Sequence, residues 1–163
     1  VEALVNEEVS LKSLRFIHSC FTCQLMTLFL FQKKIFFAAH KTSGTTFSGK
    51  ITYDIADINE GAGFNKQTGT FTAPEGGTYE FTFSGLTGGA NASTNVRVVY
   101  KDDSSHHFIS DVQAAETYNN INSIWMMKLL KGEEVYLEVD TGKLWATSGV
   151  KVIFTGNLLK LDE

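Results

Sequence analysis

The stretch GTFTAPEGGTYEFTF, Gly69 to Phe83, holds the only proline of the 163-residue chain, Pro74, between two runs in which side-chain character alternates. Thr70, Phe71 and Thr72 alternate, and so do Tyr79, Glu80, Phe81, Thr82 and Phe83, which is the period of a strand with one buried face. Proline brings no N–H to a ladder and biases Ala73 towards an extended conformation, so the first strand is predicted to end there without starting a helix. Gly76 and Gly77 are expected to supply the positive φ angles that reverse the chain. The stretch therefore reads as a strand, a reversal and the neighbouring strand.

The same period recurs on both sides of it. ITYDIAD is predicted to place Ile51, Tyr53 and Ile55 on one face, NVRVVYKD to place Val96, Val98 and Tyr100, VYLEVD to place Val135, Leu137 and Val139, and VKVIFTG to place Val150, Val152 and Phe154. Turn signals separate these runs: NEGAGF, QTG, APEGG, LTGGANAS, KGEE and DTGK. Short strands with regular punctuation indicate an antiparallel sandwich or jelly roll. The composition agrees, since 13 Phe favour strands and 14 Gly supply their turns. A net charge of -4, with no basic cluster beyond Lys33 and Lys34, excludes a broad nucleic-acid surface.

The length suits one domain and an extension, divided here into residues 1–34 and 35–163. In the extension Leu4, Leu11 and Leu14, with Glu7 at the remaining seam position, are compatible with two heptads of a coiled-coil stalk or with a frayed amphipathic end. A start at Val1 rather than Met leaves room for a stalk that continues upstream. Residues 16–31 form an apolar segment broken by His18, Ser19, Thr22, Gln24 and Thr27, short of the roughly 20 clean residues of a spanning helix. It reads as a degraded signal or anchor, as a helix packed on the domain, or as sequence outside the working protein, so membrane association stays open. Cys20 and Cys23 form a lone CxxC without a second pair and are read as incidental thiols.

Tyr53, Asn59, Phe64, Phe71, Gly77, Tyr79, Phe81 and Phe83 carry a resemblance. Their spacing resembles the signature of the complement C1q globular-domain family: an aromatic, five residues, Asn or Asp, four, an aromatic, six, Phe, five, then Gly-x-Tyr-x-Phe-x-aromatic. Only the first position departs, with Tyr53 in place of the usual Phe. FFAAH resembles the family's opening strand, WMMKLLKGEEVYLEV its leucine-glycine-acid strand pair and VIFTGNLL its closing strand, so the likeness runs from Ile35 to about Lys160. The resemblance implies an all-β, ten-stranded antiparallel jelly-roll sandwich related to the tumour necrosis factor fold, secreted and assembled as a homotrimer. No G-X-Y repeat is present, so a collagen stalk is not expected within this chain.

The densest polar cluster is KDDSSHHFISD, Lys101 to Asp111. Adjacent histidines on a strand face opposite ways, so His106 and His107 make neither a Ser-His-Asp relay nor the His-x-His of a metal-binding cupin. A solvated loop joining two strands is the expectation, and no enzyme is predicted. Calcium suits loop carboxylates better; the resemblance implies Asp111 and Asn119 as its ligands, with Asp102 and Asp103 weaker candidates. Asn91, in the sequon Asn91-Ala92-Ser93, is the expected glycosylation site. Trp125, alternating with Met127, is expected in the core, and Trp145 among turn residues is the candidate ligand or subunit anchor. The function expected is lectin-like pattern recognition of microbial or glycan surfaces in innate immunity through surface loops, the alternative being a receptor-binding extracellular ligand of cytokine or synaptic-organiser type.

Overall fold

The computed structural model describes residues 33–89, 93–102, 105–115 and 118–162. The stalk heptads, the apolar segment 16–31, Cys20, Cys23, Asn91 and Asp103 lie outside them. From Lys34 onward the chain forms one compact unit.

Eleven strands and no helix are found among the described residues: β1 (Phe36–Lys41), β2 (Phe47–Lys50), β3 (Ile55–Glu60), β4 (Phe64–Asn65), β5 (Thr70–Thr72), β6 (Gly77–Thr87), β7 (Thr94–Lys101), β8 (His106–Ala114), β9 (Asn120–Leu129), β10 (Glu134–Trp145) and β11 (Val152–Leu161). All pairings are antiparallel. One layer runs β3-β1-β11-β6-β9. The other runs β8-β7-β10, with β2 and then β5-β4 sharing the far edge of β10. The layers join at one corner, where Leu86 and Thr87 of β6 pair with Trp145 and Leu144 of β10. This is the expected jelly roll; β4, two residues long, brings the strand count above ten.

Alternation writes the core. Along β6 every second residue from Gly77 to Thr87 is buried, and Val135, Leu137 and Val139 of β10 face it with Val96 and Val98 of β7. The rings of Phe37 and Phe64 stack at 4.2 Å, Phe71 meets Tyr79 edge-on at 5.3 Å, and Phe81 lies 5.8 Å from Phe154. Gly156 makes room for this cluster, because a Cβ there would collide with the Phe37 ring and stand 2.8 Å from that of Phe81. The signature residues are thus structural. Asn59 clasps the next turn, its Nδ2 donating to the Phe64 carbonyl at 2.8 Å and its Oδ1 accepting the Phe64 N–H at 3.1 Å.

Three local expectations are corrected. Strand β5 pairs with β4 and β10 whereas β6 pairs with β9 and β11, so the Pro74 stretch crosses from one layer to the other and does not join neighbours. Gly76 and Gly77 do not take positive φ; the left-handed glycine of the stretch is Gly69, at φ +66°. Gly77 is required for space, since a Cβ would run into the Lys160 carbonyl. Finally, Ile51 and Tyr53 are buried but precede the strand, and Ile55 opens β3 with 43% exposure on the opposite face. Val150 likewise sits in the turn before β11, where its N–H donates to the Thr147 carbonyl at 3.2 Å.

Candidate functional site

The polar run singled out in the sequence lies at the β7–β8 hairpin, whose connection is only residues 102–105; from His106 the chain is already strand. The two histidines diverge as their spacing requires. His106 Nδ1 lies 3.3 Å from the Tyr136 hydroxyl, whereas the His107 ring stacks on Tyr100 at 5.6 Å. Ser105 Oγ and Asp102 Oδ2 both approach His107 at 3.0 Å, but they approach the same nitrogen, Nε2. A relay needs the serine on one ring nitrogen and the carboxylate on the other. With one nitrogen shared, the cluster staples the hairpin, helped by the Ser105 N–H donating to Asp102 Oδ1 at 2.8 Å.

Calcium asks for several oxygen ligands converging on one point. Asp111 instead faces a cation of the chain's own: its Oδ1 is 3.4 Å from Arg97 Nε, while Arg97 Nη1 is 2.5 Å from Asp140 Oδ1 and the guanidinium lies 4.8 Å from the Phe108 ring centroid. Asn119 is held elsewhere, by Thr87, and among the described residues no group of three His, Cys, Asp or Glu side chains is disposed to hold a metal. Asp111 and Asn119 are thus each engaged by other residues of the chain.

Trp145 ends β10 at the corner where the layers join, half-buried, and Tyr118 leans against it with ring centroids 4.8 Å apart at 59°. Tyr118 is 62% exposed and adopts φ +59°, a left-handed conformation that costs a bulky residue on the order of 1 kcal/mol. The buried Thr87 imposes it. Its carbonyl accepts the Tyr118 N–H at 3.0 Å, its N–H donates to the Asn119 carbonyl at 2.9 Å, and its Oγ1 accepts the Asn119 N–H at 2.9 Å. These three hydrogen bonds tie the corner to β6, and the exposed Asn119 and Asn120 follow Tyr118 in the chain. The sequence singles out Trp145 and not Tyr118, whose signal is an aromatic followed by two asparagines in TYNNIN, just before a strand. Trp125 takes its expected core place at 8% exposure. A cleft of about 510 Å³ beside Asn59, Gly63, Asn65 and Lys66 offers less, because the Asn59 amide is engaged by Phe64 and Lys66 Nζ donates to the Asp54 carbonyl.

One sheet face is unusual. The outer surface of β3-β1-β11-β6-β9 carries rungs Ile58-Ala38-Thr155-Thr82-Ile124, Glu60-Phe36-Asn157-Glu80-Met126 and Ile55-His40-Ile153-Ser84-Asn122. Ile124 and Met126 are 64% and 68% exposed, and Ile55, Ile58 and Ile153 are exposed as well. His40 is buried within this face, its Nδ1 2.7 Å from Asp57 Oδ2.

The jelly roll is filled by aromatic side chains, while Tyr118, Phe108 and several Ile and Met side chains of one sheet face stay exposed. The chain belongs to the C1q domain family, whose model matches residues 35–159. Among solved structures it is similar to the globular domain of zebrafish complement 1qA protein, at 18% identity and TM-score 0.64 over 79% of this chain and all of that one. It is also similar to murine APRIL at pH 5.0 (13%, TM-score 0.61, 76% of this chain and 99% of that one) and to Eiger TNF from S. frugiperda (14%, 0.59, 79% and 96%). Likeness at these identities shows the fold, which C1q and TNF-like domains share, and members of the C1q family are generally non-enzymatic and typically extracellular. Among the described residues no helix is long and apolar enough to cross a membrane.

Proposed function

We propose that the protein is a secreted, non-catalytic recognition protein that assembles as a homotrimer through the outer face of the β3-β1-β11-β6-β9 layer and binds glycan or microbial surfaces through its loops. The apolar side chains exposed on that face carry the reading. Isoleucine and methionine stand exposed on it in two groups, at β3 with β11 and on β9, where an antiparallel sheet that meets water shows polar residues. Repeating one weak loop site on three subunits gains avidity without any new contact. An N-glycan at Asn91 belongs to the same extracellular reading, and enzymatic deglycosylation would expose it as a loss of mass.

Light scattering of the full chain at micromolar concentration is expected to give three times the 18.0 kDa chain mass. The double variant Ile124→Lys, Met126→Lys is expected to give the monomer. A wild-type protein that is only monomeric would sink the assembly. Ligand class is then read from a glycan and microbial-surface screen with and without calcium. The likeness to APRIL and Eiger TNF supports a second reading, a receptor-binding extracellular signal; one saturable cell-surface protein partner with no glycan binding would select it.

A further inference from the structure

We infer that Met126 is an oxidation site: a two-electron oxidant of the peroxide class converts its thioether to the sulfoxide when the sheet face is uncovered, and the oxidised subunit no longer assembles. The inference deepens the assembly proposed above and rests on it. Met126 and Met127 are neighbours on β9, with the same chemistry and opposite surroundings. Met126 is 68% exposed and its partner across the sheet is Glu80, whereas Met127 is partnered with Tyr79 and packs against the core. Trp125, the other neighbour of Met126, is buried as well, so the inward positions of the strand are shielded on both sides of it. One strand thus holds a reactive sulfur and its internal control. The remaining methionine, Met26, lies outside the described residues.

The chemistry needs only an accessible sulfur. A sulfur lone pair attacks one peroxide oxygen, the O–O bond breaks as the S–O bond forms, and the departing hydroxide takes the proton from the sulfur-bound oxygen. One peroxide becomes one water while the thioether loses two electrons. The product replaces a flexible apolar side chain by a polar one whose oxygen accepts hydrogen bonds. Beneath a second copy of the chain that oxygen loses its water, and burying it without a donor is unfavourable. Glu80 opposite offers no help, since carboxylate oxygens accept and do not donate, and Ile124, two positions along on the same face, is apolar. The covering that gives Met126 its place in the assembly also shields its sulfur. Oxidation therefore acts on the free subunit and holds it apart until the sulfoxide is reduced enzymatically.

The test uses the full chain and hydrogen peroxide, with peptide mass mapping to assign each gain of oxygen and light scattering to follow assembly. Met126 is expected to oxidise faster than Met127, and more slowly at protein concentrations where the trimer prevails than where it has dissociated. The oxidised protein is expected to need about tenfold more protein or greater to assemble by half, and methionine sulfoxide reductase is expected to restore it. Met126→Leu, which conserves volume, should assemble like wild type and keep doing so after peroxide, although it carries the same two cysteines. Met126→Gln, which sets a polar group at the same place, should assemble poorly with no oxidant present, and unchanged far-ultraviolet circular dichroism shows that both variants fold. Equal rates at Met126 and Met127, a Met126 rate indifferent to protein concentration while the trimer forms, oxidised protein that assembles as well as before, or an equal loss in Met126→Leu would each overturn the site. A chain that stays monomeric at every concentration before any oxidant is added overturns the assembly beneath it, a result distinct from these.

Discussion

Tyr53 is the one signature position that departs from the family pattern, and its extra oxygen has nowhere to go. The side chain is 4% exposed, its ring lies 5.6 Å from Phe64 and 6.0 Å from Phe154, and its hydroxyl has no hydrogen-bond partner among the described residues. A buried hydroxyl left unpaired costs about 1–3 kcal/mol relative to water. Tyr53→Phe removes that oxygen and leaves the ring packing intact; allowing for the small dispersion attraction the oxygen itself supplies, the variant should gain about 1–2 kcal/mol. For a domain of this size that raises the melting temperature by roughly 3–8 °C. The assay is urea and thermal unfolding of both proteins, with an unchanged m-value showing that the denatured state is the same. Burial also pushes the Tyr53 phenol well above its ordinary ionisation. Below about pH 10 both folded and unfolded forms keep the proton, and above it only the unfolded form releases it, so wild-type stability falls with rising pH there. Tyr53→Phe should lack that share of the alkaline loss. A variant that is less stable than wild type at neutral pH, or that loses stability above pH 10 as steeply, would refute the unpaired hydroxyl.

Gly156→Ala should destabilise by about 2 kcal/mol or more, because its Cβ collides with the Phe37 ring in the middle of the aromatic cluster; chemical denaturation reads it. Asn59→Ala should cost about 1–3 kcal/mol by releasing both hydrogen bonds to the Phe64 backbone, with faster amide exchange at Phe64 as the local sign. Asp54 is a pH prediction. Burial is the largest single influence and raises its carboxyl, but the Thr42 N–H, the Ser43 hydroxyl, the Lys41 charge and the Thr42 hydroxyl together outweigh it and hold the group below the usual carboxylate range. Its contribution is therefore present above about pH 4 and lost as pH falls through the lowered value. Asp54→Asn should flatten the acid limb of the stability profile.

The sequence by itself determined which side chains turn inward, because alternation is a local property of a strand and survives whatever the strand pairs with. Val96, Val98, Val135, Leu137, Val139, Val152 and Phe154 all lie in the core as their period requires, and the signature spacing carried the family. Which layer a strand joins is not local. The Pro74 stretch reads as a reversal in one dimension and is a crossover in three, since β5 and β6 find their hydrogen bonds on β10 and β11, far along the chain. The same limit applied at the surface. Tyr118 and Trp145 are 27 positions apart, and only the Thr87 corner brings their rings together. Asp111, which the resemblance offered to calcium, has Arg97 of β7 laid beside it. Tertiary structure decided these points because each depends on a partner whose distance in sequence carries no periodic signal.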